Sequence, residues 1–182
     1  ETANYSRASA CSIGIAVIEA GEITTCVERL IKPPHGFGRF RPDFIGIHGI
    51  THGDVRDSPE FDTVFNELRP HFEGALLAAH NAAFDMGVLG ALLGHYNIPF
   101  ACDYFCTLAA SRAVWPDLPA HDLKTVSTHL GIELDHHHAG SDANAAARMI
   151  LALLSEERFS RLQMIVSQTR HLRSEQRRKE VR

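Results

Sequence analysis

Residues 75–79, Ala-Leu-Leu-Ala-Ala, form a short unbroken apolar run that Gly74 precedes and His80-Asn81-Ala82-Ala83-Phe84-Asp85 follows. No other stretch constrains the chain as strongly. Such a run is too short for a helix and, bounded by turn signals, reads as a buried strand. Beyond it, Val88, Leu89, Leu92 and Leu93 recur at helical spacing, so the strand feeds directly into a helix. Sheets that alternate with helices place ligands at the carboxyl ends of their strands, and Asp85 sits at one.

The flanking sequence supports an α/β domain. Residues 11–18 (CSIGIAVI) are nearly all apolar, residues 22–31 alternate around Ile23, Val27 and Leu30, and Ala20-Gly21 lies between them. This pattern predicts a hairpin whose first strand is the more deeply buried. Residues 32–44 (KPPHGFGRFRPDF) read as a loop, and residues 47–51 (IHGIT) as a turn. Ser58-Pro59 marks a helix start, with Phe61, Val64, Phe65, Leu68 and Phe72 on its buried face and Gly74 at its end. Further on, residues 103–108 suggest a strand, with a short helix after it through Ala113. Asp122 caps a small helix that Gly131 ends, and residues 143–154 form a strong helix. A last helix is expected from Arg158 to about Glu180, apolar only in its first half. Strands first, then helices alternating with single strands, imply a mixed sheet.

The chain has 182 residues, enough for one domain with a sizeable core, and 45% hydrophobic and 22% charged content suits an ordinary globular protein. No apolar run approaches the roughly 20 residues of a membrane span. Cys11, Cys26, Cys102 and Cys106 lie in apolar stretches without a C-x-x-C spacing, which points to reduced core cysteines and a cytoplasmic setting. A net charge of −4 argues against coating nucleic acid by bulk charge. From residue 157 onward, however, eight Lys or Arg face three Glu, against ten basic and nineteen acidic residues before it. The organisation expected is a domain over 1–156 and a basic helix or tail over 157–182, which either contacts phosphate or is simply solvated.

Acidic side chains suited to hard divalent cations occur at three separated places: Glu1, Asp85 and Asp142. His137, five positions before Asp142, could take a proton from an attacking water. Singly, each acid has an ordinary explanation: a terminal charge, an acid on a helix dipole and a helix cap. Three consecutive histidines cannot easily all ligate one zinc ion from a single turn, and no cysteine is near in sequence, so a zinc site at 136–138 is disfavoured.

Taken together and in order, these residues resemble the DEDDh 3′-to-5′ exonucleases, the family of the proofreading subunit of bacterial replicative DNA polymerase, ribonuclease T and oligoribonuclease. The family's D-x-E motif is represented by Glu1-Thr2-Ala3, its H-N-x-x-F-D motif by residues 80–85, and its H-x-A-x-x-D-A motif by residues 137–143. The resemblance covers residues 1 to about 154. It implies a ribonuclease H-like fold, a mixed five-stranded sheet flanked by helices, and hydrolysis of phosphodiester bonds at a 3′ end of single-stranded DNA or short RNA. It further implies two divalent cations, Mg2+ or Mn2+, held by Glu1, Asp85 and Asp142, with His137 as general base. Thr2 and His48 would lie against the terminal nucleotide, Asn81 would support the site, and Phe84 would be core packing. His136 and His138 are left as solvated residues. A DNA polymerase is an implied partner. The family's first aspartate belongs two positions before Glu1, so the expectation is that a native segment carrying it and the first strand precedes this sequence. A module that binds nucleic acid or a polymerase without catalysis is the competing reading.

Overall fold

The computed structural model describes residues 1–155 and 170–173. β1 (Ser12–Glu19) and β2 (Glu22–Leu30) form the expected antiparallel hairpin. Ala20 and Gly21 both take positive φ, 51° and 85°, the backbone that a two-residue hairpin turn requires. β2 alternates, with Ile23, Thr25 and Val27 turned inward and Thr24, Cys26 and Glu28 outward. Cys26 is therefore exposed, contrary to its expected core position, because strand periodicity puts it on the opposite face from Val27.

The turn expected at 47–51 begins inside a helix. α1 (Pro42–His48) ends at Gly49 in the left-handed conformation, and α2 (His52–Val55) follows behind a capping box between Thr51 and Asp54. α3 (Phe61–Phe72) starts two residues later than Ser58-Pro59 suggested, with Glu60 at the N-cap. Its buried face is the one read from spacing. Phe61 and Phe65 stack at 5.4 Å between ring centroids, Phe65 and Phe72 at 5.5 Å, and this ladder meets Leu89, Leu92 and Leu93 in the main core.

β3 (Leu77–Ala79), α4 (Ala82–His95) and β4 (Ala101–Cys106) form a parallel crossover unit, followed by α5 (Thr107–Val114) and α6 (Leu123–His129). Asp122 caps α6 as expected: its carboxylate accepts from Thr125 N at 3.0 Å and Thr125 Oγ1 at 2.7 Å. These bonds hold the carboxyl below its ordinary range. Asp122→Ala is expected to cost about 1 kcal/mol in urea unfolding at pH 7. Because a depressed acid stabilises the fold only while ionised, the gap between variant and wild type should close as pH falls through the carboxylate range.

α7 (Ala139–Ser155) begins four residues earlier than expected and lies across β1 and β2. Gly14 makes the crossing possible, since a Cβ there would run into the backbone of Ala139 and Gly140. Glu28 accepts from Gly140 N at 3.0 Å, tying the helix start to the hairpin. β5 (Arg170–Arg173) pairs antiparallel with β4, so part of the expected last helix is a strand. Leu172 joins the main core, and such tertiary pairing overrides local helical pattern. The rest of that expected helix and of the basic tail lies outside the described residues.

The five strands form two ladders, β1-β2 and β3-β4-β5. Among the described residues no strand joins β1 to β3; α7 packs on both. No helix among the described residues is long and apolar enough to cross a membrane.

Candidate active site

Three segments converge near the start of α7. The first is residues 1–3, which run antiparallel to residues 9–12 through a bridge between Thr2 and Ala10. Cys11 N donates to Glu1 O at 2.9 Å and Ala3 N to Ser9 O at 2.8 Å. From the other side His48, buried at the end of α1, lies with Nε2 at 3.1 Å from Thr2 O and accepts the N–H of Ile50 at Nδ1, 3.0 Å. A carbonyl only accepts, so Nε2 carries the proton and one neutral tautomer satisfies both bonds. Cys11 Sγ is 4.0 Å from the same nitrogen, and burial pushes its thiol up to about 11. Both ring nitrogens of His48 are thus engaged by backbone, and its contact is with the carbonyl of Thr2.

The second segment joins β3 to α4. Asn81 takes φ 69°, ψ 47°, a left-handed turn that asparagine tolerates, and lets α4 begin at once. Asp85 falls on the first turn of α4, its surface exposed but its carboxyl hemmed in by surrounding protein. Burial is the main cause lifting its carboxyl to about 6, and the charges of Glu1 and Asp142 add to the rise, against its own backbone N–H and the chain's amino group. Phe84, expected in the core, is instead 47% exposed, because it lies on the outer side of the helix from buried Met86 and Leu89.

His80 anchors this turn. Its Nε2 lies 2.7 Å from the carbonyl of His121, and its Nδ1 lies 2.9 Å from Thr107 Oγ1. The carbonyl again requires the proton on Nε2, leaving Nδ1 to accept from the threonine. Burial lowers the pKa of the ring and keeps it neutral. His80→Ala would leave buried partners unpaired, at a cost of about 1–3 kcal/mol near pH 7.5. A histidine with a depressed pKa costs stability once the unfolded chain begins to bind the proton, below about pH 6.5. Urea midpoints at pH 7.5 and 5.5 should therefore fall further apart in wild type than in His80→Ala.

The third segment is the histidine turn. Asp142 lies on the first turn of α7, where its N–H donates to His138 O at 2.9 Å. His137 has φ 72°, an uncommon conformation for a residue other than Gly or Asn. It turns two consecutive rings to one side, so that His136 and His137 stack at 3.8 Å between centroids. His137 Nδ1 is 3.9 Å from Glu1 Oε1, while it is His136 whose Nδ1 lies 3.1 Å from Asp142 Oδ1. His138 points to Asp135, 3.6 Å away. The five-residue spacing from His137 to Asp142 therefore does not decide which ring touches the aspartate, and His136, read as solvated, is engaged.

Sequence reasoning also passed over Arg7, whose guanidinium donates to Ala83 O at 3.1 Å and occupies the space a Cβ at Gly87 would fill. The glycine two positions after Asp85 was the available signal. The donor set at the site is mainly carboxylate oxygen, flanked by imidazole, and suits a divalent cation.

The family model for the RNase T exonucleases matches residues 3–150. The chain belongs to this family, the DEDDh exonucleases. Its members are hydrolases that act on nucleic acids and use divalent metal ions. Among curated relatives of this exonuclease, the DNA polymerase III PolC-type protein of Streptococcus agalactiae is 32% identical over 165 residues, 88% of this chain. The chain spans about 11% of that protein's length. Exonuclease X, solved in complex with 5′ overhanging duplex DNA, superposes with a TM-score of 0.69 at 22% identity, covering 91% of this chain and 94% of that one. The nuclease domain of 3′hExo bound to rAMP, described as a DEDDh member, gives a TM-score of 0.62 at 16% identity, covering 82% and 94%. These likenesses establish the ribonuclease H-like α/β fold.

Proposed function

We propose that this chain hydrolyses single-stranded DNA or short RNA from the 3′ end, releasing nucleoside 5′-monophosphates with the help of two divalent cations, Mg2+ or Mn2+. One observation carries the reading: residues from separated segments meet at the start of α7, with Glu1 Oε1 3.9 Å from His137 Nδ1, Asp142 Oδ1 3.1 Å from His136 Nδ1, and Asp85 near enough that both acids add to its raised pKa. Gathering like charges is unfavourable in the protein alone, and a cation relieves it. Glu1, Asp85 and Asp142 would hold the metals, which when bound supply a more acidic water and neutralise charge on the phosphoryl oxygens.

His137 is the general base, taking the proton of the attacking water at a ring nitrogen. Glu1 Oε1 lies 3.9 Å from Nδ1 of that ring. Thr2 presents its backbone to the terminal nucleotide, His48 acts at the same place by fixing the Thr2 carbonyl, and Asn81 shapes the turn that carries Asp85. The PolC-type relatives support work beside a DNA polymerase, and free cysteines suit a cytoplasmic setting.

A 5′-labelled oligonucleotide incubated with Mg2+ or Mn2+ should shorten stepwise, and EDTA should stop it. Absence of shortening, or shortening that survives Asp142→Ala, rejects the proposal. Rates on matched DNA and RNA oligonucleotides then rank the two substrates.

A further inference from the structure

We propose that His136, His137 and Asp142 form a second kind of metal site, one selective for a nitrogen-preferring cation such as Zn2+, that competes with the catalytic cations. One ligand atom from each of the three lies within 4.8 Å of the others. Ligands at 2.0–2.1 Å from a tetrahedral zinc are about 3.3 Å apart. The His136 Nδ1 to Asp142 Oδ1 separation, 3.1 Å, is already near that value, and the widest pair needs to close by roughly 1.5 Å, within reach of side-chain rotation.

Consecutive histidines ordinarily diverge, which is why three in a row make a poor zinc site. The left-handed backbone at His137 brings two of them to one side, while His138 is directed to Asp135. An ion held by both rings must lie in the plane of each, so the stacked rings have to turn apart to share it. All three groups keep solvent access, so water can complete the coordination. Imidazole nitrogen suits Zn2+, Cu2+ and Ni2+, whereas Mg2+ prefers oxygen, so the two histidines distinguish this site from the Glu1, Asp85 and Asp142 set with which it shares Asp142. The inference rests on the proposed function in one respect: zinc at this site would withdraw Asp142 from the catalytic cations and occupy the lone pair of the general base.

Co2+ is a spectroscopic probe for such a site. Titrating the full chain with Co2+ should give the visible bands of a low-coordinate nitrogen and oxygen complex at one ion per chain, displaced by Zn2+ but not by equal Mg2+. His136→Ala and His137→Ala should each weaken Co2+ binding at least tenfold, the loss expected even for a supporting partner of a ligand. His138→Ala should leave it unchanged. In Mg2+-driven cleavage, the Zn2+ concentration for half inhibition should rise at least tenfold in His136→Ala. Co2+ affinity that is indifferent to His136→Ala, or that falls equally in His138→Ala, overturns the inference. Cobalt bands without any cleavage would overturn the proposed function and leave the metal site standing. Cleavage without the bands does the reverse.

Discussion

Asp85→Asn is expected to lower metal-dependent cleavage by about a thousandfold or more and, in the same protein, to raise Tm in EDTA at pH 8. The first effect follows from losing one of three carboxylates that would hold the cations, whose contribution to the transition state is several kcal/mol. The second follows from the raised pKa. The carboxyl of Asp85 titrates at about 6 in the fold, above its ordinary 3.8, with burial as the largest cause and Glu1 and Asp142 adding to it. A raised acid favours the fold in its protonated form, so this contribution is fully present below about pH 3.8 and is lost as pH rises through 6. At pH 8 wild type carries an ionised carboxylate in unfavourable surroundings, and asparagine removes that charge. The Tm difference should shrink toward pH 4, where both side chains are neutral. Mg2+ should then raise the Tm of wild type more than that of the variant, because binding to the folded state alone stabilises it. A variant no more stable than wild type in EDTA at pH 8 would contradict the idea that metal-free Asp85 is strained by its neighbours.

Local chemistry was the legible part of this site. Asp85 could be placed at a strand end because an apolar run of five residues and a helical pattern meet there, and both signals lie within twenty residues. Asp122 could be named as a cap because capping depends on one side chain and the next turn. What the sequence concealed depended on contacts between distant segments. Residues 170–173 carry a helical pattern locally, and their strand depends on a pairing partner, β4, nearly seventy residues earlier at Ala101–Cys106. Helix α1 was hidden by a loop-like composition of proline, glycine and arginine. The His80 tie could not be seen because its two partners, Thr107 and the His121 carbonyl, lie 27 and 41 positions away. The type of Phe84 suggests the core, yet its position on α4 leaves it next to Asp85 and exposed. The pairing in the histidine turn was hidden for a different reason. Nothing in the residue type of His137 announces a φ of 72°, and that single dihedral sets where both rings go.

Strain of that kind is stored where surrounding structure enforces it, frequently at sites of chemistry, and it bears on which ring does the work. His137→Ala is expected to reduce cleavage by about 10²–10⁴-fold, the usual contribution of a positioned general base, whereas His136→Ala should cost tenfold or less. The direct bond to Asp142 belongs to His136, which on contact alone favours that ring. A ring committed to the carboxylate that holds a cation, however, has its Nδ1 occupied there and acts by orienting that carboxylate. His137 lies 3.9 Å from Glu1, beyond hydrogen-bond distance, and is loose enough to turn toward an attacking water. The pH dependence separates the roles. If His137 is the base, its replacement should abolish the acidic limb of kcat/KM, and His136→Ala should keep that limb while altering the metal concentration needed for half-maximal rate. Equal losses in the two variants, or an acidic limb that disappears only in His136→Ala, would assign the base to the other ring and make His137 the residue that holds it in place.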